Sequence, residues 1–132
     1  MNAPSVYRMS DIADRIENIE QGGTYIKPFV NTAMGASMAG GINVLNKVSV
    51  PWDLTCDELI FCFQGVFRLV VDEVDYVLEA GDLMYVPKDN HVRYEADQKA
   101  IIFYAAYPVN WKELAGVKQV PGIDPDDMPP DN

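Results

Sequence analysis

From residue 24 onward, apolar and polar positions alternate in short runs, and Gly, Pro, Asp and Asn interrupt them. Successive side chains on a strand point to opposite faces, so this pattern predicts strands rather than helices. Runs rich in β-branched and aromatic residues place eight of them, at residues 24–30, 41–48, 58–63, 66–71, 74–78, 82–86, 91–95 and 100–107. Asp72-Glu73 predicts a tight hairpin, and residues 79–82 and 86–90 carry turn chemistry. Antiparallel strands in this number close into a sandwich, a jelly roll or a small barrel.

The ends of the chain break the alternation. Ser10 is placed to cap a short helix with acids in its first turn and with Ile12, Ile16 and Ile19 on one face, and Gly22-Gly23 stops it. After Trp111, residues 111–115 can form one helical turn before Gly116, and residues 122–132 are rich in Pro and Asp. The expected organisation is an N-terminal segment with a short helix (1–23), a β domain (24–111) and an acidic, Pro-rich tail (112–132). Such a tail has little with which to nucleate structure, so order there requires docking on the barrel or on a neighbouring subunit.

Composition narrows the class. A chain of 132 residues with 48% hydrophobic content fits one domain with a real core. The net charge is −10, and the four tail aspartates (Asp124, Asp126, Asp127, Asp131) leave −6 for the rest. Such acidity argues against nucleic acid and anionic membranes as partners. No apolar run is long enough for a membrane helix, and Met1 to Ser5 do not open a signal peptide. Cys56 and Cys62 are six apart in one extended segment, about 20 Å, beyond the reach of a disulfide. Free thiols fit a reducing cytoplasm.

Two motifs carry a resemblance. Glu58 followed by Gly65, then one hairpin, then Gly81-Asp82-Leu83-Met84-Tyr85-Val86-Pro87, resembles the two motifs of the cupin superfamily. Three further strings are similar to the cupin domain of the ethanolamine-utilisation (EutQ-like) family: Met38-Ala39-Gly40-Gly41, Pro51-Trp52 with Asp57-Glu58, and Tyr104-Ala105-Ala106-Tyr107-Pro108-Val109-Asn110-Trp111. The resemblance implies an all-β, single-domain fold, a conical jelly-roll β-barrel that is usually dimeric, with its site at the mouth. It also implies a link to a bacterial microcompartment and an acetate kinase activity credited to the family.

In metal cupins two histidines precede the glutamate, because a borderline divalent ion needs convergent imidazoles and a carboxylate. Here residues 51–54 supply none, and the single histidine, His91, stands four after Pro87 where the family's ligand stands five after it. If Tyr94 faces inward, alternation turns His91 outward. No metal and no cofactor are therefore expected; the alternative is a divalent ion held by an unusual set drawn from Glu58, Asp53, Cys56 and His91.

Glu58 is the leading candidate for chemistry. Alternation places it with Ile60 and Cys62, opposite Leu59, Phe61 and Phe63. A carboxyl among apolar neighbours has a raised pKa suited to general acid or base work. Its alternative role is to accept hydrogen bonds from a tyrosine, Arg68 or Lys47 and brace the barrel mouth. Tyr85 is the expected catalytic partner, since its place two before the motif proline faces the cavity in cupins. Trp52, Asp53, Cys56, Tyr94 and Tyr104 are the expected substrate-binding residues, with Cys56 more a small hydrophobe than a nucleophile. Asp57 is expected at the surface or capping a turn. Residues 35–41 are glycine-rich but lack the Gly-Lys-Ser/Thr end that cradles phosphates, which weighs against the kinase activity.

The expected function is action on a small-molecule ligand, as a lyase, isomerase or dehydratase. The alternative is a non-catalytic metabolite-binding or accessory cupin. A homodimer is expected because residues 66–71 carry Phe67, Leu69 and Val71 on one face and Val66, Arg68 and Val70 on the other, a surface that needs cover on both sides.

Overall fold

A computed structural model describes residues 3–116 and 120–127. Seven antiparallel strands form one sheet: β1 (Gly23–Val30), β2 (Ala39–Asp53), β3 (Asp57–Gln64), β4 (Val66–Val71), β5 (Val74–Glu79), β6 (Leu83–Val86) and β7 (His91–Tyr107). Their order is β1-β2-β7-β3-β6, while β4 pairs with β5 and with the first part of β7. The sheet rolls around one apolar interior that includes Leu45, Ile60, Cys62, Phe67, Leu69 and Ile102.

The expected eight strands become seven because residues 91–95 and 100–107 are one strand. β2 continues through Pro51 and Trp52 and pairs with β7 from Ala39–Ala106 to Asp53–His91. Pairing on both sides of Asp97 and Gln98 keeps β7 one strand through these two residues. The register slips between the Asn46–Lys99 and Val48–Ala96 pairs, beside Lys47 at φ +50°. A bulge of this kind changes which residues face inward. On β2 the inward positions are odd up to Leu45 and even from Val48 to Trp52.

The N-terminal helix begins earlier than the Ser10 cap predicts. A 3-10 turn, Met9–Ile12, follows Arg8 with no side-chain cap and leads into α1 (Ala13–Glu17). Ile12, Ile16 and Ile19 pack with Tyr25, Ile42, Val44 and Ile101 in a second cluster, against the outside of β1, β2 and β7.

The surface expected to need a partner is covered within the chain only in part, since Val66 is exposed. On β4, Phe67 and Leu69 enter the main core and Val70 is also buried. More uncovered apolar surface lies on the outside of β3, β6 and β7, where Leu59, Phe63, Leu83, Tyr85, Phe103 and Tyr107 are exposed.

At the other end, α2 (Trp111–Ala115) is followed by Gly116 at φ +70°. The described part of the tail, residues 120–127, docks on β1: Ile123 bridges Ile26, and the Ile26 amide donates to the Gly122 carbonyl at 2.9 Å. Asp131 and the rest of 128–132 lie outside the described residues.

Candidate functional site

The interior of the barrel holds a cavity of about 50 Å³. By volume it admits roughly three to five waters, or a molecule of a few heavy atoms. Its walls come from β1 (Thr24, Ile26), β2 (Asn43, Val50, Trp52), the loop after β2 (Leu54, Cys56), β3 (Glu58), β7 (Tyr94, Ile102, Tyr104), α2 (Trp111) and the docked tail (Val120, Pro121).

The loop is held from two sides. The Leu54 amide donates to the Asn90 carbonyl at 3.0 Å, and the Asp89 amide donates to the Leu54 carbonyl at 2.9 Å. The Thr55 hydroxyl donates to the Trp111 carbonyl at 2.7 Å, which ties the loop to α2. Trp52 and Trp111 then meet edge to face, centroids 5.9 Å apart, and close one side with rigid apolar surface.

Glu58 is the one acid in this lining, and it is buried. Tyr94 donates its hydroxyl to Glu58 Oε1 at 2.9 Å. Burial pushes the carboxyl up to about 7, against the opposing pull of the Tyr94 hydrogen bond. Such a group exchanges a proton readily near neutral pH. Burial, together with the nearby Glu58 charge, pushes the Cys56 thiol up to about 12 and keeps it protonated. The same two causes raise Tyr94 and Tyr104, so both phenols remain donors. The Tyr104 hydroxyl is buried and has no partner among the described residues.

Of the residues singled out from sequence, Trp52, Cys56, Glu58, Tyr94 and Tyr104 share this cavity, whereas Tyr85 and Asp53 do not. Tyr85 is 58% exposed. Directly paired residues on antiparallel strands share a face, and Tyr85 is paired with outward Leu59, so Met84 and Val86 take the inward places. Asp53 sits next to inward Trp52 and turns out to an exposed ion pair with His91, which raises the imidazole pKa. Asp57 is also turned away and accepts the Lys88 amide at 2.9 Å. Arg68, one possible partner of Glu58, is bound to Glu95 and Asp97 at 2.9 and 3.1 Å.

Sequence reasoning missed three contributors. Asn43, which accepts the Thr24 hydroxyl at 3.0 Å, was visible as a lone amide between Ile42 and Val44. Trp111 closed one of the resembling strings without being assigned a place. Nothing in the composition of the tail pointed to Val120 and Pro121.

A comparison with protein families matches residues 10–113 to the family described as ethanolamine utilisation protein EutQ. The chain belongs to this family. A relative from Escherichia coli (strain K12), called acetate kinase EutQ, is 29% identical over 80 residues, covering 61% of this chain and 34% of that protein. The chain spans only 34% to 55% of the length of the curated relatives it matches. The crystal structure of a putative ethanolamine utilization protein Q from Salmonella typhimurium LT2 superposes with TM-score 0.64 at 25% identity, over 66% of this chain and 71% of that one. A Cupin_2 domain of an Enterobacter cloacae transcriptional regulator shares the fold at TM-score 0.57 and 10% identity, over 64% and 96% of the two chains. The fold of this family member is that of a cupin.

Many cupins hold a divalent ion at the barrel mouth, but the residues of this cavity do not suit one. Among the described residues no three His, Cys, Asp or Glu side chains converge. The cavity offers Glu58, with one oxygen taken by Tyr94, and a thiol that stays protonated. A tight transition-metal site needs about three convergent ligands.

Proposed function

We propose that the barrel cavity is a small-molecule site in which Glu58 exchanges a proton with the ligand. Tyr94 is the positioning residue, holding Oε1 while the second oxygen of the carboxyl serves the ligand. The observation that carries this reading is a buried carboxyl poised at about 7 inside an otherwise apolar and phenolic cavity. Its carboxylate form removes a proton from a carbon or oxygen acid, and its acid form returns it, as a lyase, isomerase or dehydratase step requires. The apolar surface of Trp52 and Trp111 lowers the local dielectric and strengthens electrostatic interactions in the cavity.

The relatives' name, acetate kinase, suggests a different chemistry. Among the described residues the cavity lining contains no Lys, Arg or His. Nothing on these walls offsets the charge of a nucleotide's phosphates, so phosphoryl transfer receives no support from this cavity.

A direct test is deuterium exchange at the α-carbon of hydroxyacetone in D2O, followed by proton NMR with the purified protein. Exchange that disappears in Glu58→Gln supports the proposal, and exchange that persists in the variant refutes it. Binding of the probe without exchange by the wild type favours the alternative, a non-catalytic metabolite-binding cupin.

The working form is proposed to be a homodimer. Outside the barrel, the register sets Leu83, Phe61 and Phe103 in one row across β6, β3 and β7, and Tyr85, Leu59 and Ala105 in the next. With a net charge of −10, two copies repel over most of their surfaces, and an uncharged apolar face is where they can meet.

A further inference from the structure

The tail segment 120–127 lies beyond the stretch that matches the family, yet it completes the cavity through Val120 and Pro121. One ion pair to α1, one to β1 and one strand contact with β1 hold it in place. Arg15 Nη2 donates to Asp124 Oδ1 at 3.0 Å, and Lys27 Nζ donates to Asp127 Oδ1 at 2.8 Å. Just before them in the tail stand the single Ile26–Ile123 bridge and the bond from the Ile26 amide to the Gly122 carbonyl.

Gly122 makes this close approach possible. It sits at φ +88°, and a Cβ there would stand 2.8 Å from the Thr24 carbonyl oxygen. Thr24 is itself part of the cavity wall. The chain therefore presses a tail segment directly against the lining, where a residue with a side chain would hold it off.

The attachment is weak compared with the other walls. Strands β2, β3 and β7 are fixed by long ladders, whereas the tail has one bridge, the buried Val120, an exposed Arg15–Asp124 pair and a partly buried Lys27–Asp127 pair. An exposed pair such as Arg15–Asp124 is worth little and is screened by salt, and a partly buried one such as Lys27–Asp127 is screened less. With the tail in place the cavity is small and lacks a basic side chain, so it suits uncharged occupants of a few heavy atoms.

We propose that residues 120–127 are a removable wall of the site, which in place restricts it to small uncharged molecules and off β1 admits larger ones. Arg15 and Lys27 are the latch, Val120 and Pro121 the restricting surface. The proposal rests on the cavity being the small-molecule site, but its test needs no ligand and does not involve Glu58, so the two readings can fail separately.

Cys56 reports the wall, being buried in the cavity lining, and Cys62→Ala removes the other thiol. In that background, labelling of Cys56 by methyl methanethiosulfonate and by the bulkier benzyl methanethiosulfonate is followed by intact mass. The benzyl reagent should react far more slowly than the methyl one. Arg15→Ala with Lys27→Ala should raise the benzyl rate by roughly two- to thirtyfold, the range set by loss of two surface ion pairs, one of them partly buried. Adding 1 M NaCl should do the same to the parent and little to the double variant. Gly122→Val should accelerate benzyl labelling without changing charge. A benzyl rate that neither salt on the parent nor the folded variants change overturns the proposal, as does equal labelling by both reagents in the parent.

Discussion

Replacing Glu58 by glutamine should stabilise the protein at alkaline pH and do much less at acid pH. The folded carboxyl titrates at about 7, compared with 4.5 for a solvated glutamate. Between those values the folded state keeps its proton while the unfolded state has released it. Stability therefore falls as pH rises through this window, and the loss is complete above about 7, where both states are ionised. A shift of about 2.5 units corresponds to roughly 3 kcal/mol at 1.36 kcal/mol per unit. Glutamine has no such titration, and its carbonyl oxygen can still accept the Tyr94 hydroxyl.

The measurement is urea unfolding of both proteins at pH 8.5 and pH 5, read by tryptophan fluorescence, since Trp52 and Trp111 both line the cavity. Glu58→Gln should gain about 3 kcal/mol at pH 8.5, or roughly 10 °C in Tm, and less than about 1 kcal/mol at pH 5. The sequence pI of 4.3 makes lower pH unsuitable, because low net charge promotes association. Equal changes at the two pH values, or a loss of stability at pH 8.5, would show that Glu58 is solvated or paired in the folded protein. A gain confined to high pH would identify Glu58 as a group whose burial is held at the expense of stability.

Tyr94→Phe removes the hydrogen bond that lowers the Glu58 pKa, so a carbon-13 titration of the Glu58 carboxyl should move upward from about 7; an unchanged midpoint would mean the bond is not made in solution. The wild type should sediment at twice its 14.7 kDa, and Phe63→Lys with Leu83→Lys on the outer face should give folded monomers; a dimer that survives both changes places the interface elsewhere. Lys112 is buried, and its amine has no partner among the described residues. Lys112→Met should therefore raise stability by about 1–3 kcal/mol in thermal unfolding, and a drop of similar size would reveal a partner for the amine.

Much of the candidate site was legible because strand parity is local. Alternation alone put Glu58, Ile60 and Cys62 on one face, and these are the buried positions of β3. The same reasoning turned His91 outward once Tyr94 faced in. Tyr85 failed because it was placed by analogy with a motif rather than by its own neighbours: Leu83 and Tyr85 share a parity, and both are exposed. β7 was read as two strands, 91–95 and 100–107, and only pairing with the long β2 on both sides of the register shift joins them.

By itself the sequence determined the class of fold, the apolar interior, the helix face of Ile12, Ile16 and Ile19, and the acid facing that interior. These follow from periodicity, which each residue and its near neighbours carry. Only the tertiary structure decided how β2 reverses parity at Lys47, which turns Trp52 and Val50 into the same cavity as Asn43. It alone decided that Val120 and Pro121 complete the wall, and that a row of exposed apolar residues crosses the outside of β3, β6 and β7. The physical reason is common to all three. A bulge, a docked tail and an uncovered face depend on what lies opposite a residue in space, and residues as far apart as Arg15 and Asp124 meet only when the chain has closed on itself.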